Sequence, residues 1–92
     1  MTTVLLLTAP ACRYCDEATS LLARLTEEFE LVVETRSVAD DSGRALALKH
    51  GVLFPPAIFV NGSFVQYGRP SERKLRARLL EVGARTRLRA GQ

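Results

Sequence analysis

Ninety-two residues, 47% of them apolar and 25% charged, with a formal charge of +3, leave room for one small core and none for a second domain. The only long apolar run near the N-terminus, VLLL at residues 4–7, lacks a basic flank and falls far short of the roughly 7–15 residues of a signal peptide or about 18 of a membrane span, so a cytoplasmic protein without a membrane partner is expected. Charge is uneven, with 5 basic and 8 acidic side chains in residues 1–68 against 8 basic and 2 acidic in residues 69–92, yet the basic end RTRLRAGQ has no aromatic to stack on a base, so it reads as a solvated helix end and tail and no nucleic-acid partner is expected.

TVLLLTA, residues 3–9, is apolar without alternation, as a strand covered on both faces would be. A helix follows whose seam steps by three and four through Cys15, Ala18, Leu22, Leu25 and Phe29, with Asp16, Glu17, Arg24, Glu27 and Glu28 mostly off the stripe. LVVETRSV, residues 31–38, is rich in β-branched residues and reads as a second strand, joined to the first through the helix and therefore parallel to it. DDSGRALALKHG, residues 40–51, offers Asp and Ser as caps, a short helix, and Gly51 as its left-handed stop. AIFV and SFVQY flank Asn61-Gly62 as a hairpin. Pro70-Ser71 then opens a last helix with a stripe of Leu75, Leu79 and Val82, ended by Gly83. The order is β-α-β-α-β-β-α, one domain over residues 1–83, with 84–92 as a flexible basic tail.

The chain has two cysteines, Cys12 and Cys15, and both stand where the first strand gives way to the first helix. Two cysteines are too few for a disulfide-stapled secreted scaffold, and at this spacing they read as redox-active or metal-binding. Cys12 falls at the helix N-terminus, where unpaired N–H groups and the dipole favour a thiolate, and Arg13 adds a fixed cation. Lowering its pKa from roughly 8.5 to about 7 would raise the reactive fraction near neutral pH from a few per cent to about half. Cys15 falls on the apolar stripe and should be shielded. That division suits thiol–disulfide exchange: Cys12 attacks, and Cys15 resolves the mixed disulfide. Arg13 and Tyr14 would border the exposed sulfur. The alternative is a dimeric module in which Cys12 and Cys15 hold a soft metal or a bridged cluster. His50, the single histidine, reads as a solvent-exposed helix end, which leaves such a site to borrow ligands from a second chain or from glutathione.

CRYC after the first strand, PPAIFVNG before the hairpin and YGRPS entering the last helix together resemble the thioredoxin superfamily, and more closely its small glutaredoxin-like members. The resemblance implies an α/β thioredoxin fold, with a four-stranded mixed central sheet flanked by helices. It also implies a cis-proline facing the cysteines, which the spacing to Asn61-Gly62 assigns to Pro56, with the backbone before it pairing to an extended substrate. Two departures bear on substrate. Pro55 has no N–H to give glutathione, a loss on the order of 1 kcal/mol. Tyr67 and Pro70-Ser71 replace one glycine of the family's Gly-Gly pair and the acidic residues after it, although Ser71 and the helix N-terminus could still take a carboxylate, and Arg13 or Arg69 could stand in for a missing lysine. The expectation is a monomeric disulfide oxidoreductase with no bound cofactor, acting on a protein disulfide. Tyr14, Pro55 and Gly68 would shape the groove. Thioredoxin reductase or, more weakly, glutathione would serve as upstream reductant.

Overall fold

The run at residues 4–7 becomes the middle of the sheet. In the computed structural model, which describes residues 1–87, strand β1 (Thr2–Thr8) pairs in parallel with β2 (Leu31–Ser37) and antiparallel with β3 (Ala57–Val60), and β3 pairs antiparallel with β4 (Ser63–Tyr67). The sheet order is β2-β1-β3-β4, so β1 has neighbours on both sides and layers on both faces. Helices α1 (Arg13–Glu28), α2 (Asp41–Lys49) and α3 (Glu72–Glu81) complete the seven-element order read from the sequence.

Side-chain alternation along β1 and β3 divides the interior in two. Val4, Leu6, Ile58 and Val60 point to one face, where Ala18, Leu21, Leu22 and Leu25 of α1 and Leu75 and Leu79 of α3 cover them. Leu7, Ala57 and Phe59 point to the other, beneath Leu46 and Ala47 of α2. Fully burying one such Leu or Phe is worth about 1.5–3 kcal/mol, so the larger cluster around α1 and α3 dominates the packing. The α1 seam is as the sequence reading placed it, with Leu21 added. Val82 departs from the α3 stripe, being 38% exposed at the helix end.

Local chemistry accounts for the element ends. Both α2 and α3 stop in the same way: Gly51 and Gly83 have positive φ (66° and 73°), and the following amides, Val52 N and Ala84 N, donate back to Ala47 O and Leu79 O at 2.9 Å. Ser71 caps α3 by accepting the Lys74 N–H at 3.3 Å, whereas Asp40, at the N-cap of α2, makes no side-chain cap bond. Asn61 and Gly62 both take positive φ (50° and 82°) in the hairpin turn. The Asn61 side chain also accepts the Thr3 N–H at 2.9 Å while its own N–H donates to Thr3 O at 2.8 Å.

An ionic network joins α1 to α3. Glu72 bonds Arg76 at 2.9 Å and Arg24 at 3.2 Å, and Arg76 also bonds Glu28. The Arg76 guanidinium, and after it Arg24, holds the Glu72 carboxyl below the usual carboxylate range. Beyond Gly83 the chain stays with the fold for four residues. Glu30 N donates to Arg85 O and Arg87 N to Glu28 O, both at 2.8 Å, and Phe29 forms a bridge with Thr86. The rest of the basic tail, residues 88–92, lies outside the described residues.

Candidate active site

Cys12 is the N-cap of α1. Its backbone is extended, with φ −115° and ψ 106°, and its Sγ accepts the Cys15 N–H at 3.1 Å. That donor is one of the amides a helix start leaves without an intrahelical partner, so the sulfur occupies the place an oxygen takes in an ordinary cap. Cys12 and Cys15 are joined as a disulfide with 5.1 Å between their Cα atoms. The two sulfurs are not equivalent: Cys15 is 4% exposed within the core, whereas Cys12 is only partly buried and borders solvent.

The residue before Cys12 is held in an unusual conformation. Ala11 has φ 52°, the left-handed region where a Cβ is crowded by the backbone at a cost of roughly 1–2 kcal/mol. Ala11→Gly should relieve that crowding and lose part of the gain to a freer unfolded chain, for a net stabilisation of about 0.5 kcal/mol and a Tm about 2–4 °C higher. A thermal melt followed by circular dichroism checks this, and a lowered Tm would show that the turn does not suffer from its side chain.

Opposite the cysteines, the Pro55–Pro56 peptide bond is cis and Pro56 is fully buried. The Pro55 carbonyl lies 3.9 Å from Cys12 Sγ, so an acceptor faces the sulfur and, at a proline, no N–H accompanies it. Gly68 N donates to Pro56 O at 2.8 Å. The Phe54 ring packs so closely on Gly68 that a Cβ there would sit 3.1 Å from it, and Gly68 also has φ 84°. Phe54 itself is half exposed and meets Tyr67 edge to face at 5.5 Å between ring centroids.

Of the residues singled out from the sequence, Cys12, Arg13, Tyr14 and Arg69 line one open cavity of about 370 Å³, together with Glu17. Pro55, Pro56 and Gly68 are tied to it by the contacts above. Ser71 is not among the lining residues; its hydroxyl caps α3. His50 is corrected outright: instead of standing in solvent it is half buried, stacked on Phe64 at 5.7 Å and edge-on to Phe59 at 5.1 Å. Among the described residues no three His, Cys, Asp or Glu side chains are placed to hold a metal ion. Two residues were missed. Gln66 and Phe54 both brace this region, and the one sequence signal for Gln66 was a polar side chain in an otherwise apolar strand two positions before Gly68.

The thioredoxin-domain family model matches residues 2–80. A probable thioredoxin of Archaeoglobus fulgidus is 32% identical over 71 residues, 77% of this chain and 78% of that protein. A probable thioredoxin of Methanothermobacter thermautotrophicus is 29% identical over 68 residues, 74% of this chain and 80% of its own. Among solved structures, a mutant thioredoxin from Halobacterium salinarum superposes with a TM-score of 0.67 at 22% identity, over 96% of this chain and 77% of that one. Glutaredoxin 1 from Francisella tularensis does so with a TM-score of 0.58 at 14% identity, over 89% and 96%. At such identities the structural likenesses speak to the fold alone. Among the described residues no helix is long and apolar enough to cross a membrane.

Proposed function

Because the chain belongs to the thioredoxin-domain family, we propose that it is a dithiol oxidoreductase that reduces protein disulfides, with Cys12 as the attacking thiol and Cys15 as the resolving one. The observation that carries this reading is the asymmetry of the pair: one sulfur at a helix N-terminus facing solvent, the other in the core one turn along. In the reduced protein the Cys15 N–H that reaches Cys12 Sγ would stabilise a thiolate, and so would the positive end of a 16-residue helix.

The exchange balances in two steps. The Cys12 thiolate attacks one sulfur of the target disulfide, a new S–S bond joins enzyme and target, and the target's other sulfur leaves as a thiolate that takes up a proton. The Cys15 thiolate then attacks Cys12 Sγ, the mixed disulfide breaks, and the second target thiol departs. Two electrons and two protons reach the target, and the Cys12–Cys15 disulfide is left. An external dithiol or two equivalents of a monothiol must reduce it again.

Protein substrates are favoured over glutathione by the same carbonyl that faces Cys12. The Pro55 acceptor can take an N–H from an extended segment, but a ligand whose own carbonyl needs a donor at that point finds none, which costs on the order of 1 kcal/mol or about fivefold in affinity. Arg13, Tyr14, Gly68 and Arg69 would form the walls of the docking groove. Ser71 would contribute through the N-terminus of α3, and the partners are then a disulfide-bearing protein and an upstream reductant.

The test is NADPH oxidation with a small disulfide substrate, driven in parallel through glutathione with glutathione reductase and through thioredoxin reductase. Turnover through thioredoxin reductase with little or none through glutathione is expected. Pro55→Ala, which restores the missing donor, should raise the glutathione-driven rate about fivefold. A wild-type protein that runs equally well on glutathione would overturn the preference for protein disulfides.

A further inference from the structure

Gln66 is 7% exposed on β4, and both ends of its amide are spent on one residue. Nε2 donates to Ser71 O at 3.0 Å and Oε1 accepts the Ser71 N–H at 2.7 Å. Ser71 is the N-cap of α3. Three residues earlier the chain is fastened again, by the bond from Gly68 N to Pro56 O at 2.8 Å and by the Phe54 ring against Gly68. Arg69 and Pro70 are therefore anchored at both ends, and the proline fixes its own φ. From this short pinned segment Arg69 extends into solvent. It makes no ion pair with any described residue, and it shares the 370 Å³ cavity with Cys12.

We propose that Gln66 is a positioning residue that holds the Arg69 guanidinium beside Cys12, where with Arg13 it receives an anionic side chain next to the target disulfide of a partner protein. The inference rests on the disulfide-reducing reading above and narrows its substrate class to disulfides with acidic neighbours. The charged residues lining the cavity are Arg13, Arg69 and Glu17, a net positive balance to which the N-terminus of α1 adds. Exposed ion pairs lose much of their Coulomb gain to the entropy of ordering two long side chains. A backbone immobilised beforehand reduces that loss, which is what the Gln66 amide provides.

The experiment uses pre-reduced protein in single-turnover reduction of two synthetic peptides that share one intrachain disulfide, flanked in one by aspartates and in the other by lysines. The wild type should reduce the acidic peptide about fivefold faster at low ionic strength, with the ratio falling towards one as salt is added. Arg69→Ala should bring the ratio close to one. Gln66→Met, similar in shape but without the amide, should do most of the same, and Gln66→Asn, too short to span both bonds, should fall between. A residue that only stabilised the fold would lower both rates together and leave their ratio alone. An equal rate for the two peptides in the wild type overturns the inference while the reductase reading stands. Failure to reduce either peptide removes both. A ratio that Arg69→Ala abolishes and both Gln66 variants preserve overturns the role of Gln66.

Discussion

Cys12→Ser is expected to abolish disulfide reduction, lowering turnover by on the order of a thousandfold or more, because a serine hydroxyl does not ionise near neutral pH and the thiolate is the nucleophile. Cys15→Ser should behave differently. Its Cys12 keeps the helix N-terminus and the residue-15 N–H that reaches its sulfur, so the first attack proceeds, but nothing buried behind it can break the mixed disulfide. The covalent adduct should accumulate and appear by intact-mass spectrometry as protein plus target, released by added dithiol. Cys12 is only partly buried and a serine hydroxyl can take its place as the helix cap, so lost activity with a melt matching that of the reduced wild type is the signature. An adduct that accumulates in Cys12→Ser and is absent in Cys15→Ser would reverse the two roles.

Gly43→Ala should be the most damaging single methyl in the protein. Propensity alone recommends it, since alanine in a helix interior is favoured over glycine by about 1 kcal/mol. Position decides the other way. Gly43 is buried in α2, and a Cβ there would fall 2.9 Å from Ser37 C, closer still to Ser37 O, and 3.3 Å from Val38 Cα. All three are backbone atoms at the end of β2, so no side chain can swing aside, and α2 must lift from the sheet. Overpacking of this kind costs about 1–3 kcal/mol or more, and with the contact this short the upper end should outweigh the propensity gain. A net loss of about 2 kcal/mol would lower Tm by about 8–16 °C. A melt with unchanged or raised Tm would mean that the helix has room the structure does not show.

These cases mark what could and could not be read from the residues. Period, caps and turns are local, and the seven elements, the hairpin at Asn61-Gly62 and the glycine stops of α2 and α3 followed from residues a few positions apart. The cysteine pair was legible for the same reason: its place between an apolar strand and an amphipathic helix already put one sulfur at an N-terminus and the other on a buried stripe. What escaped depends on distant chain coming close. Nothing near Gly43 announces that the end of β2 passes within contact distance. Gln66 looked like one polar residue in a strand, because its partner's backbone reaches it only after the chain turns at Gly68. His50 was placed in solvent from its position at a helix end, whereas two phenylalanines from the hairpin cover it. Asp40 had the right side chain for a cap and makes no cap bond. Residues 84–87 read as the start of a tail, yet their backbone finds Glu28, Phe29 and Glu30.

The contact between Asn61 and Thr3 bears on how β1 keeps its place. Most strands are held in register by their pattern, because a slip of one residue turns the apolar set outwards. β1 is exempt: Val4 and Leu6 serve one core, Leu7 with Leu5 serves the other, and a slipped strand would still bury apolar side chains on both faces. Its register must be set by something directional. Asn61 takes the Thr3 N–H with its side chain and the Thr3 carbonyl with its own N–H, so both backbone groups of one residue are claimed at the end of the strand remote from the cysteines. Only four residues separate the other end of β1 from α1. The height at which Cys12 stands above the sheet is thereby indexed from a turn residue at the opposite pole of the molecule.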